Sequence, residues 1–140
     1  VSEFDNLTVA VGFSSGTIAI TRNPQATTPT WTVRQPRAGF VSSLTLDPLD
    51  GNRMFATYSN FGGAKVFRSR DGGQAWTSID GSDPFRALPD VPAHDLLIDP
   101  RDPTRYLLAT DIGLFIGQQD GAIWSADASG LGNVLIERLQ

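Results

Sequence analysis

The chain has 140 residues and a formal net charge of −4, one domain's worth of globular protein. It has no Cys and a single His, His94, which excludes disulfide frameworks, thiol nucleophiles, thiolate zinc sites and His-rich metal sites. No basic stripe and no apolar run of membrane-spanning length is present, which argues against a nucleic-acid partner and a helical membrane span.

Composition also points to fold class. There are 13 Asp against 2 Glu and 10 Arg against one Lys, Lys65, with 14 Gly and 9 Pro. Glu and Lys populate exposed helix surfaces, whereas Asp, Gly and Pro populate turns. The expectation is an all-β chain with many turns.

Short β-branched and aromatic runs separated by Gly, Pro, Asp and Asn read as strands. The first group is 7–12, 16–21 and 30–34. The second is 41–46, 53–58, 64–69 and 75–79. The third is 93–98, 105–110, 113–117 and 123–126. A last run, 133–139, follows. Val134, Leu135 and Ile136 give that run β-propensity on both faces.

Two landmarks recur through these groups. Trp31, Trp76 and Trp124 are 45 and 48 residues apart. Ser69-x-Asp71-x-Gly73-x-x-Trp76 has a weaker counterpart in Gly117 to Trp124 and a looser one from Thr21 to Trp31. Leu44-Thr45-Leu46-Asp47-Pro48 is matched by Leu96-Leu97-Ile98-Asp99-Pro100, and each is followed by Arg and an apolar strand, from Arg53 and from Arg105. A repeat of about 40–50 residues carrying four strands is the signature of a propeller blade.

Ser69, Asp71, Gly73 and Trp76 resemble the Asp-box, or BNR repeat, of sialidase-like β-propellers and bacterial glycosyl-hydrolase-like repeat proteins. Ala75 stands where the family pattern usually has Thr. The resemblance implies a propeller segment of about three four-stranded antiparallel blades: a partial blade over 1–34, blades over 41–79 and 93–126, and a first strand of a next or closing blade over 133–140. Propellers typically have 4–8 blades, so the expected partner is the rest of a larger propeller chain or a second copy. The final strand, 133–139, is expected to pair beside residues 7–12, within the chain or from a neighbouring copy.

The chemistry of the box residues favours a structural role. Asp71 suits capping of turn amides, Ser69 adds a hydroxyl, Gly73 supplies a positive φ, and Trp76 covers the hairpin. The competing reading makes Asp71 a catalytic acid or calcium ligand. In an antiparallel blade the box shares one end with the Asp-Pro turns. The resemblance implies that ligands meet the opposite end, which carries 12–15, 35–40, 58–63, the long crossover 80–92, 111–113 and 127–132. Tyr58, Asn60, Phe61, Phe85, Arg86 and Asp111 are the candidate ligand-face residues there. Aromatic faces beside Asn and Arg suit a carbohydrate or a protein ligand. The plainer reading is that Phe85, Leu88 and Val91 plug the space between adjacent blades.

Sialidase chemistry, as the resemblance implies, needs three Arg, a Tyr–Glu pair and an Asp acid. Glu3 and Glu137 lie near the termini, away from Tyr58 and Tyr106, and no such set assembles by motif. Asp111 and an Asp of the 80–90 loop can share one end as a carboxylate pair. His94 reads as a packing or surface residue rather than a base. The sequence therefore predicts a non-catalytic scaffold and binding surface, with no cofactor, metal or catalytic residues, from an extracellular or cell-envelope bacterial protein. The alternative is part of a secreted glycoside hydrolase, sialidase-like or β-glucan-active, whose catalytic residues lie mostly elsewhere.

Overall fold

The computed structural model describes residues 7–128 and 135–139. Those residues form eleven strands and no helix. In chain order they are β1 (Val9–Gly12), β2 (Ile18–Thr21), β3 (Thr32–Arg34), β4 (Val41–Leu46), β5 (Met54–Tyr58), β6 (Val66–Ser69), β7 (Thr77–Ser78), β8 (Ala93–Asp99), β9 (Asp102–Thr110), β10 (Gly113–Gln118) and β11 (Ile123–Ala126). They make three sheets, β1–β3, β4–β7 and β8–β11, each joined in sequence order and antiparallel throughout. Connections this short favour antiparallel neighbours, because parallel strands need long crossovers.

Each expected strand between residues 7 and 126 has a counterpart, and the bounds move where turns intrude. The 16–21 run starts at Ile18, because Gly16 takes a φ of 93° and closes a turn by donating its N–H to Phe13 O at 3.0 Å. The last expected strand differs. Residues 133 and 134 lie outside the described residues, and 135–139 form no strand. Ile136 donates its N–H to Thr110 O at 3.2 Å, and Leu139 donates its own to Asp95 Oδ2 at 3.0 Å. Those amides are spent on the end of β9 and on a β8 side chain, so this segment lies against the third sheet and not beside residues 7–12 of the same chain.

Alternation of side chains on each strand leaves every sheet with two faces. The middle sheet uses both. Met54, Ala56, Tyr58 and Phe67 join Ile18 and Ile20 of the first sheet in one apolar core. Phe55, Val66 and Ile79 join Leu96, Ile98, Tyr106, Leu108, Phe115 and Trp124 of the third in another. Phe55 meets Tyr106 edge-on at 4.9 Å between ring centroids, the arrangement the ring quadrupole favours.

The second and third sheets share a local irregularity as well as an order. Val41 pairs with Tyr58 and Ser43 with Thr57, so Ser42 is an extra residue; Ala93 pairs with Thr110 and Asp95 with Ala109, so His94 is another. Such bulges re-aim the extra side chain. Ser42 Oγ donates to Ala93 O at 2.6 Å, Ser43 Oγ to Asp95 Oδ1 at 2.7 Å and Thr45 Oγ1 to Leu96 O at 2.7 Å. Hydroxyls thus stitch β4 to β8 where no backbone ladder joins the two sheets.

Asp120 ties the same two sheets at the far edge. It stands in the β10–β11 turn with a φ of 61°, a left-handed conformation that Asp tolerates better than most residues. Its carboxylate accepts from the Tyr106 hydroxyl, from Arg70, and from Arg68 at 2.5 Å. Burial pushes the carboxyl up, but the Tyr106 hydroxyl and the two guanidinium groups outweigh it and hold it below 3.8. A depressed folded-state pKa contributes stability that is present above the unfolded value and is lost as pH falls through the folded one. Asp120→Asn should therefore lower the melting temperature at pH 7. The gap between wild type and variant should close as pH falls below about 4, which paired thermal melts over pH 2–7 will read.

Candidate functional site

Turns at one end of the first two sheets share one polar device, and the matching turn of the third keeps its Gly and Trp. In the β6–β7 hairpin, Ser69 is buried; its Oγ accepts the Gly73 N–H at 2.8 Å and donates to Asp71 Oδ1 at 2.8 Å. That carboxylate oxygen also accepts the N–H groups of Gln74 and Ala75, both at 3.0 Å. The Ala75 amide, the Ser69 hydroxyl and other donors hold the Asp71 carboxyl below 3.8. Trp76 folds back so that its indole N–H donates to Gly73 O at 3.2 Å. Gly73 has a φ of 89°, and a Cβ there would collide with Ile20 Cδ1 of the first sheet. Glycine thus serves both the turn and the close approach of the neighbouring sheet.

The β2–β3 connection carries the same device with a three-residue insertion. Thr21 Oγ1 donates to Asn23 Oδ1 at 2.9 Å, and that oxygen accepts the Thr30 N–H at 2.9 Å, just ahead of Trp31. Asn23 stands for Asp71 and Thr30 for Ala75. In the β10–β11 turn Gln119 replaces the carboxylate, while Gly121 and Trp124 remain. Trp124 Nε1 donates to Gly121 O at 3.1 Å and to Ile79 O of the middle sheet at 2.7 Å.

The Asp-Pro turns at this end also match. Asp47 Oδ1 accepts the Leu49 N–H at 2.8 Å and Oδ2 pairs with Arg53 at 2.5 Å. Asp99 Oδ1 accepts the Arg101 N–H at 2.9 Å and Oδ2 pairs with Arg105 at 2.9 Å. The recurring Arg six residues after each Asp was the signal for this clamp, which sequence reasoning left unused.

The opposite end is joined by a chain of hydrogen bonds between loops. Gly39 N–H donates to Ser15 O, Ser59 N–H to Phe40 O, Gly62 N–H to Asp90 Oδ1, and Asp111 N–H to Pro92 O. The candidate ligand-face residues share this end but not one surface. Tyr58 is buried: its hydroxyl donates to Gly16 O at 2.9 Å, and burial pushes its pKa up to about 12. Its ring is core and is closed to a ligand, because the middle sheet turns that strand position toward the first sheet. Asn60 Oδ1 accepts the Phe40 N–H, which spends one acceptor on the loop itself. Phe61 is 68% exposed and Phe85 is 95% exposed, whereas Leu88 packs against the core. Of the residues expected to plug the space between sheets, Leu88 does so and Phe85 does not. Arg86 lies beside Phe85 on the crossover and ion-pairs loosely with Asp83 at 3.8 Å.

Lys65 was not singled out from sequence. It is 1% exposed, and its ammonium donates to Gly63 O at 2.6 Å and to Asp90 Oδ1 at 2.5 Å. Asp80 accepts the N–H groups of Lys65 and Val66 at 2.6 and 2.8 Å, and burial raises its pKa despite them. The 58–65 turn and the 80–92 crossover are therefore one unit.

A cleft of about 650 Å³ opens between β4 and β8, with Ser42, Ser43 and Thr45 along one wall and residues 137–139 at its lip. His94 stands at its rim and its Nε2 lies 2.6 Å from Asp111 Oδ1. The bulge at His94 aims the ring at the β9–β10 turn, so His94 and Asp111 form a dyad that sequence distance had hidden. Among the described residues no three His, Cys, Asp or Glu side chains converge as a metal set.

The chain matches no protein-family model and no curated protein. Ser69→Ala should cost about 1–3 kcal/mol, since it leaves the Gly73 amide unpaired in a buried site; urea unfolding reads this directly. Lys65→Met should leave the sheets folded but free the crossover, so trypsin should cut after Arg86 severalfold faster than in wild type.

Proposed function

We propose that this chain is a run of Asp-box propeller blades that acts as a non-catalytic scaffold and presents a ligand- or partner-binding surface on its loop end. The observation that carries this reading is the turn device shared by Thr21/Asn23 and Ser69/Asp71, with its Gly and Trp kept at Gly121/Trp124. Its hydroxyl–Asx pair recurs in the first two sheets and its Gly and Trp in the third, always at the same end. A side chain that satisfies its own turn in successive sheets is holding a fold together, whereas a catalytic acid is needed once. Val11, Val33 and Trp31, exposed on the first sheet, suit cover by a further sheet from the remainder of a larger propeller or from a second copy.

The glycoside-hydrolase alternative rests on the His94–Asp111 dyad beside the cleft. Asp95, the nearest further carboxylate on β8, already accepts from Ser43, Leu96 and Leu139. Both its oxygens are committed to the fold, so the further carboxylate that a glycosidase needs would have to come from outside these residues, as that alternative requires. The scaffold reading is therefore the better supported.

Asp71→Ala should lower the melting temperature. The folded wild type should release no fluorophore from 4-methylumbelliferyl sialoside or 4-methylumbelliferyl cellobioside. Turnover that Asp111→Asn abolishes would overturn the scaffold reading in favour of the hydrolase.

A further inference from the structure

We propose that the arc of apolar side chains at the loop end, Phe13, Phe40, Phe61 and Ile112, is a docking surface for a basic amphipathic α-helix of a partner protein. This rests on the scaffold-and-binding reading and names the partner and the place.

The four side chains stand on loops that are bonded to one another in order. Phe13 O accepts the Val41 N–H at 3.3 Å, which sets the β1–β2 turn against Phe40. Phe40 O accepts the Ser59 N–H at 3.2 Å and the Phe40 N–H goes to Asn60 Oδ1, which sets Phe40 against Phe61. Asp90 Oδ1 takes the Gly62 N–H at 2.7 Å, and Pro92 O takes the Asp111 N–H at 3.3 Å, which brings Ile112 into the same row. Phe13, Phe61 and Ile112 hold equivalent places, in the β1–β2, β5–β6 and β9–β10 turns, one to each sheet. All four are 43–68% exposed. Contiguous exposed apolar surface marks an interaction site. Because the loops beneath are braced, little ordering entropy remains to be lost on binding.

Three features select the partner. The first is spacing. Packed sheets lie about 10 Å apart, so apolar contacts set one to a sheet repeat at about that interval. Seven residues of α-helix advance about 10.5 Å and return to the same face. A helix laid across the sheets therefore offers residues i, i+7 and i+14 to Phe13, Phe61 and Ile112, and i+3 or i+4 to Phe40. An extended strand advances about 10 Å in three residues, and its third residue points to the opposite face. The second feature is the backbone. The N–H groups of Gly39, Val41, Ser59, Gly62 and Asp111 are already given to neighbouring loops, so they cannot pair with an extended chain. A helix needs no such partners, because it satisfies its own backbone. The third is charge. The Asp90 and Asp111 side chains are 60% and 39% exposed. The cations beside them are spent on the fold: Lys65 is buried, and Arg37 donates to Ala38 O and Ala64 O. The rim of the arc is therefore acidic and suits Lys or Arg on the flanks of the helix.

The experiment is fluorescence anisotropy of a labelled peptide of about 18 residues, with Leu at i, i+3, i+4 and i+7 spacing and Lys elsewhere, titrated with the whole chain. Saturable binding is expected. Phe61→Ala should weaken it by at least about tenfold, and Ile112→Ala should weaken it severalfold, with melting temperatures unchanged. Phe85→Ala removes an exposed ring that lies off the arc and should leave binding as it is. A peptide with Glu for every Lys should bind at least about tenfold more weakly. Absence of saturable binding, binding that Phe61→Ala leaves unchanged, or equal binding of a peptide whose central Lys residues are replaced by Pro overturns the proposal. Co-sedimentation of the chain with phosphatidylcholine vesicles, abolished by Phe61→Ala, would assign the arc to a membrane surface and overturns it as well. A lowered melting temperature in Asp71→Ala without peptide binding defeats the helix site and leaves the scaffold standing. Glycoside turnover defeats the scaffold whatever the peptide does.

Discussion

A sheet of three or four strands has two faces and cannot bury both by itself, and this constraint organises the rest of the molecule. The middle sheet meets it by lending Tyr58 and Phe67 to one neighbour and Phe55 and Val66 to the other. Everything else positions those faces. Gly73 lets a hairpin come down onto Ile20, Trp124 reaches across to Ile79 O, and Ser42, Ser43 and Thr45 tack β4 to β8. Bulges at Ser42 and His94 let the inner strands bend without losing their partners on β5 and β9.

The lopsided acid composition has a direct structural cause. Asp47, Asp50, Asp83, Asp99 and Asp102 each accept the N–H two residues ahead, and Asp71 accepts those three and four ahead. A carboxylate on one methylene reaches those amides, and Glu, one methylene longer, pays more entropy to do so. A chain built from many tight turns therefore selects Asp. Arg follows Asp: Arg53, Arg68, Arg70 and Arg105 pair with turn carboxylates, a task for which the guanidinium fork is better shaped than an ammonium. Lys65 is the instructive exception. Its ammonium is a compact donor in a buried pocket, and it works there because Gly63 O and Asp90 are both within reach.

The two ends of the sheets divide labour. At the end of the Asp turns nearly every polar group is answered within its own hairpin or by the adjacent sheet. At the other end the loops answer one another through backbone and carboxylate, and side chains such as Phe61 and Phe85 are left outward. That contrast, rather than any single residue, is why function is sought among the crossover and its neighbours.

Strand positions, their grouping and the two recurring landmarks were legible in the sequence, because period-two apolar runs, Gly and Pro punctuation and Asx turns are local physics acting over a few residues. The Ser69–Asp71–Gly73 turn was legible for the same reason. What a side chain faces beyond its own hairpin was not. Tyr58 and Phe85 are both aromatic residues at the loop end, yet one is sealed against Gly16 O and the other stands in water, since the packing of whole sheets decides which rings are covered. Asn23 keeps Asp71's role across an inserted stretch that disguises the spacing. Asp120, read as part of a degraded turn, holds two sheets together because Arg68, Arg70 and Tyr106 come to it from strands up to 52 residues away. His94 and Asp111 likewise meet only because a bulge turns one strand toward the next turn. The sequence by itself determined the strands and their turns; the tertiary structure decided burial, charge pairing and the exposed apolar arc, which depend on contacts between segments that no local pattern encodes.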